Sequence, residues 1–230
     1  MFLRTCFICL ACVVLPLQAS AHEFWIAPLK YQLETGDQAV ADLKTGQKFK
    51  GYDMSWYQSR IAQSQARQGD QIIANTGRAG DVPALKIDPQ SSGLLQIAHQ
   101  TTMQIVSYKD WSKFTGFVAH KDLAGTLERH AERGLPQTGF DEGYTRYAKS
   151  LIAAGNAAGQ DAIVGFEIEI VALKNPYLDP IPDEVPIQLL YLGKTRGDAQ
   201  IEVFEQDAEG EVTVFTLRTD TEGLATVPVK

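Results

Sequence analysis

A chain of 230 residues, 44% of them apolar, is long enough to bury its own core. Its 21 basic and 28 acidic residues give a net charge of −7, which disfavours nucleic acid and anionic lipid as partners and suits cationic ones. Cys6, Cys9 and Cys12 are the three cysteines, so everything beyond them must fold without disulfides and without a cysteine-built zinc site.

Residues 1–21 read as a secretory signal peptide. Arg4 supplies the positive start, and Cys6 to Leu17 form an apolar run too short to span a bilayer. Ala19 and Ala21 then place small side chains at −3 and −1 of a cut after Ala21. Cys9 stands where a lipid-attachment pattern ending at Cys12 needs an aliphatic residue. Removing 21 of the 230 residues leaves 209 that begin at His22, and losing Arg4 takes the net charge from −7 to −8. The expectation is an exported, periplasmic protein that is not membrane-embedded.

The segment 22–174 is expected to form a β-sandwich. Short runs such as "HEFWIAPLKYQL", "QAVADLKTGQ" and "GLLQIAHQTT" are separated by Gly-Asp, Thr-Gly, Ala-Gly and Ser-Gly turn signals. From Trp111 the apolar spacing becomes helical. "HKDLAGTLERHAERGL" and "DEGYTRYAKSLIAAG" predict a helical insertion over about 118–155, with Gly155 as C-cap. In the second, Tyr144, Tyr147 and Leu151 fall at i, i+3 and i+7 as a core-facing stripe, and an Arg146–Glu167 or Arg146–Glu169 ion pair would tie the helix to the next strand. That strand, Ala162 to Leu173, alternates and puts Phe166, Ile168 and Ile170 on one face. Prolines 176, 180, 182 and 186 predict a stiff linker over 175–186. Residues 187–230 hold four strand-like runs and are expected to form a small immunoglobulin- or prealbumin-like β unit that either packs on the first domain or is truncated. The whole is a mainly β fold.

In order along the chain, "AHEFWIAP", "VADLKTGQKFKG", "EGYTRYAKSL", "GFEIEIVALKNPY" and "VPIQLLYLGKTRGDAQIEVF…TDTEGLATVPV" resemble the DUF4198 family of secreted proteins over nearly all of the exported chain. Members are often described as periplasmic components of nickel or cobalt uptake systems, so the resemblance implies a metal ion as ligand and a membrane metal transporter as partner. Two departures stand out. Family members usually continue past the TDxxG turn into strands carrying a Trp and a Val-His pair, whereas this chain stops at Lys230, as a fragment or a shortened member would. Where the family commonly shows Glu-Gly-Leu, this chain has "HKDLAG".

His22 is the first candidate ligand. Once it begins the chain, its α-amino group and imidazole Nδ1 can close a chelate ring on one ion, and a second imidazole would complete a three-nitrogen set. Copper(II) and nickel(II) favour such tetragonal nitrogen fields. The bland alternative is that any residue can follow a cleavage site. His99 shares a strand face with Leu95 and Ile97 and is expected either as the second ligand or as a core histidine; His120 is the other choice. His130 sits among charges and reads as solvated. Glu23, Asp37 and Asp42 are possible oxygen donors, with exposed acids as the default reading. Trp25, Trp56 and Trp111 read as core anchors. No nucleophile elbow, phosphate loop, dinucleotide fingerprint or His-Glu-x-x-His motif is present, so no catalytic residue is expected. Three functions remain: handling of nickel, cobalt or copper; a copper-dependent oxidative enzyme with an N-terminal histidine brace; and a metal-free envelope scaffold.

Overall fold

A computed structural model describes residues 22–178 and 180–229. The expected signal peptide, residues 1–21, and its expected cut after Ala21 lie outside the described residues. The first sheet holds β1 (Glu23–Pro28), β3 (Ala39–Gln47), β4 (Lys50–Met54) and β7 (Leu85–Ile87), with β1, β4 and β7 all pairing antiparallel to β3. The second runs in the order β2 (Gln32–Leu33), β11 (Tyr147–Ala154), β8 (Gly93–Thr101), β5 (Ile61–Gln68), β6 (Gln71–Ala74). Ile26, Leu43, Trp56 and Leu85 meet Leu95, Ile97 and Ile152 in one buried cluster between these two sheets, which makes them a sandwich.

β8 is the centre of the second sheet and is buried along nearly its whole length. Leu95, Ile97 and His99 share its inner face, as the alternation predicts. Its outer face is covered by the segment that follows β11: Gln96 Nε2 donates to Asp161 Oδ1, and Leu94 N to Ala158 O at 2.8 Å. A strand covered on both faces has no solvent side, hence the nearly unbroken apolar "GLL" start.

The helical insertion is smaller and earlier than the sequence suggests. α1 (Trp111–His120) and α2 (Thr126–Glu132) sit between β9 (Gln104–Tyr108) and β10 (Phe140–Tyr144), which pair with each other. Asp110 caps α1 by accepting from Ser112 N at 2.9 Å. Residues 141–155 are not a helix: they form the end of β10 and all of β11. The stretch fits both periods. Tyr144, Tyr147 and Leu151 satisfy the helical one, while Ala148, Ser150 and Ile152 satisfy the alternating one. Eight residue pairs with β8, from Tyr147↔Gln100 to Ala154↔Gly93, decide for the strand. Gly155 follows β11 with φ +56° and donates to Leu33 O, ending a strand instead of a helix.

β12 (Ile168–Ala172) is shorter than the expected run, and its faces are inverted: Glu169 and Val171 are buried, whereas Ile168 and Ile170 are 37% and 42% exposed. It pairs antiparallel with β13 (Glu184–Tyr191), so the ladder crosses the proline segment. β13 also pairs with β14 (Lys194–Thr195) and β17 (Leu224–Pro228). Pro186 lies inside β13, contrary to the expected linker bounds. It is tolerated because it sits just past the end of β12, where its carbonyl accepts from Leu173 N. Val185, Ile187 and Leu189 pack on Ile201 and Leu217 of the ribbon β15 (Gln200–Gln206) and β16 (Val212–Arg218), closing the small β unit around its own core.

The β3–β4 hairpin reaches across to this unit. Gly46 and Gly51 face each other so closely that a Cβ on Gly46 would stand 2.1 Å from Lys50 O. At the turn Lys48 and Phe49 both take positive φ (49° and 59°), the geometry of a two-residue primed turn. The Phe49 ring then lies 6.0 Å from Trp25 of β1 and 6.1 Å from Phe204 of β15.

Candidate binding site

Between the sandwich and the C-terminal unit lies a cleft of about 1240 Å³. Its walls come from β11, β12, β15, the loop after α1 and the turn around Arg196. At its base Lys149 reaches Asp161 Oδ2 and Glu169 Oε1, both at 3.0 Å, with side chains 11%, 2% and 2% exposed. Both carboxylates are further held by backbone amides. Glu169 accepts from Val164, Gly165 and Phe166, and Asp161 from Ala162 and Ala172. This triad replaces the expected Arg146–Glu169 pair: on a strand, Lys149 projects from the outer face alongside Leu151, toward the covering segment.

Arg146 instead points its Nη1 at the His22 carbonyl, 2.6 Å away, and lies 5.1 Å from the Tyr144 ring. Tyr147 is half-buried and not in the core. Its ring contacts Phe166, and its hydroxyl donates to Glu167 Oε2 at 3.3 Å. Burial first, and then the Glu167 charge, raise the Tyr147 pKa. Tyr191 donates to the other Glu167 oxygen at 3.4 Å and carries Arg196 over its ring at 5.5 Å.

The cleft lining contains six cationic side chains (Lys121, Arg129, Arg146, Lys149, Arg196, Arg218) and five carboxylates (Asp122, Asp161, Glu169, Asp198, Glu202). All five carboxylates are already paired: Glu202 with Lys121, Asp122 and Asp198 with Arg218, and the two basal acids with Lys149. The other three cations have only uncharged partners among the described residues. Arg129 donates to Thr126 Oγ1 and Ala124 O, while Arg146 and Arg196 are placed as above.

The candidate histidines are scattered. His22 is exposed at the start of β1, next to the cleft residue Arg146. His99 is 2% exposed, with Nδ1 3.1 Å from Ser64 Oγ and its ring 5.8 Å from Phe24. Burial pushes its pKa down to about 4, so it is neutral at pH 7. His120 ends α1, exposed, with Nε2 3.4 Å from Glu202 Oε1. His130 is not solvated: it is 6% exposed, bonded to Pro136 O at 2.9 Å and enclosed by Trp111, Phe114 and Phe140. Among the described residues no three His, Cys, Asp or Glu side chains converge to hold a metal ion.

Two of the acids considered as oxygen donors have structural partners. Glu23 accepts from Lys48 N, and Asp37 from Glu34 N. Asp42 is 9% exposed, contrary to the exposed default, and burial together with the nearby Asp53 charge raises its pKa against the opposing pull of Lys44. Lys149, Asp161, Arg129 and Arg196 were not singled out from sequence. The one local signal was the alternation through Lys149, hidden by the helical reading of the same residues.

Among the described residues no helix is long and apolar enough to cross a membrane. The model of a family described as a domain of unknown function, DUF4198, matches residues 19–230. No curated protein and no solved structure matches the chain.

Proposed function

The chain belongs to the DUF4198 family, and from that premise we propose that it is an exported periplasmic protein that holds a transition metal ion at His22 for delivery to a membrane transporter. The observation that carries this reading is the placement of His22. Its backbone carbonyl is fixed by Arg146 at 2.6 Å while the residue is exposed at the edge of the cleft. A signal cut after Ala21 would add a free α-amino group beside the imidazole of a residue whose backbone is held in place. The two nitrogens form a chelate with open positions, which suits an ion that has to be passed on. Copper(II) and nickel(II) fit the nitrogen donors, with copper highest in the affinity order. His99 and His120 do not complete the set without rearrangement, since one sits in the core and the other faces Glu202. The remaining positions belong to water or to a ligand on the transporter.

Protein recovered from the periplasm should have the mass of a chain beginning at His22. Adding one alanine before His22 keeps the imidazole and converts the amine into an amide. Calorimetric titration with copper(II) or nickel(II) should then show at least a tenfold loss of affinity, about 1.4 kcal/mol. His22→Ala should lose as much or more, and His130→Gln should bind like the native chain. Equal binding by the alanine-extended protein would refute the terminal chelate.

A further inference from the structure

We propose that the cleft between the sandwich and the C-terminal unit binds a small organic polycarboxylate. The chain as a whole is acidic, at −7, yet the cleft lining carries more cations than carboxylates. The five carboxylates are all engaged by Lys121, Lys149 and Arg218, the lining as a whole carries one excess positive charge, and the guanidiniums with donors to spare are those of Arg129, Arg146 and Arg196. Each guanidinium has five N–H donors in a planar fork. Arg129 uses donors on Thr126 and Ala124 O, Arg146 on the His22 carbonyl, and Arg196 faces the Tyr191 ring. Donors are therefore left over on three fixed positive charges that line one concavity, and a multiply charged anion satisfies them together. The fork geometry matches carboxylates in bidentate pairs.

The walls specify what carries the charges. Ile168 and Ile170, the inverted face of β12, open into the cleft at 37% and 42% exposure, and Leu123 and Phe204 line it as well. Bare inorganic anions gain nothing from such surface, whereas a carbon skeleton does. Position agrees with this, since small-molecule sites favour clefts between structural units. The base is also rigid: Lys149 bridges Asp161 and Glu169 and holds β11, β12 and the covering segment together, so little has to be ordered on binding.

This inference does not rest on the metal reading, and it is tested on metal-free, full-length processed protein. Calorimetry with benzene-1,3,5-tricarboxylate, citrate and inorganic phosphate should give one-to-one binding of both tricarboxylates, the aromatic one tighter, with phosphate at least about tenfold weaker. Added salt should weaken all three. Arg146→Gln and Arg196→Gln should each lower tricarboxylate affinity at least about tenfold, and Arg196→Lys, which keeps the charge and loses the fork, should fall between. Arg78→Gln, an arginine outside the cleft, should leave it unchanged. Circular dichroism monitors folding, and if Arg146→Gln fails to fold, the two Arg196 variants decide. His22→Ala should weaken metal binding and leave tricarboxylate binding intact, so the two readings fail separately. Absence of binding by either tricarboxylate at about 1 mM, an affinity near −4 kcal/mol, overturns the proposal. So does binding unchanged in both arginine positions, and so does phosphate binding as tightly as the tricarboxylates.

Discussion

His99 shows how one side chain ties the core to pH. It stays neutral in the folded protein, with a pKa of about 4, because protonation would place an uncompensated charge between the sheets. An unfolded histidine takes up its proton near pH 6.5. The stability it contributes is therefore complete above pH 6.5 and is lost progressively as pH falls toward 4. The gap corresponds to at most about 3 kcal/mol. Urea unfolding at pH 7.5 and at pH 5 should show a drop in the native chain that exceeds the drop in His99→Gln by about 2 kcal/mol. Equal drops would mean that the imidazole is solvated. Lys149 is the opposite case, a buried charge that is needed. Lys149→Met leaves Asp161 and Glu169 facing each other without a cation and should cost about 3–5 kcal/mol in the same assay. A loss below about 1 kcal/mol would place the pair in water.

At the level of elements, β11 and β12 carry the contrast between pattern and structure. The face of β8 was readable from Leu95, Ile97 and His99 because a strand in mid-sheet has one period to obey. Residues 147–154 obey two, and the partner that selects between them lies about fifty residues earlier in the chain, in β8. β12 misleads for another reason. Its larger apolar residues, Ile168 and Ile170, line the cleft, while Glu169 is taken inward by Lys149 and three amides. Substitution should reveal this inversion. Ile152→Ala, at a fully buried position, should cost about 2–5 kcal/mol. Ile170→Ala should cost less than about 1 kcal/mol, because much of its surface is already wet. Comparable losses at the two positions would contradict the orientation of β12. His130 belongs to the same lesson: its neighbours in sequence are charged, but its neighbours in space are Trp111, Phe114 and Phe140.

For the whole molecule, the mainly β architecture was legible from turn spacing, and the presence of helices, though not their bounds, from the change of period at Trp111. The cleft was not, since it joins residues from 24 to 218 that share no local motif. The two units are fastened by Phe49 against Phe204, Lys121 with Glu202, Arg218 with Asp122 and Gln200 Nε2 on His120 O at 3.0 Å. Such contacts, added to the Lys149 triad, should make unfolding a single transition by calorimetry, with matching calorimetric and van't Hoff enthalpies. Two resolved peaks would show that the units melt independently.

The ladder that crosses the proline segment makes covalent continuity there dispensable. A protease that nicks the chain between β12 and β13 would release two fragments still stitched by five residue pairs, from Ile168↔Tyr191 to Ala172↔Ile187. The halves should co-elute as one particle and reassemble when expressed separately, in the manner of a split reporter. Ending a chain at residue 174 is a different matter, because β12 then becomes a bare edge seeking any strand that will pair with it.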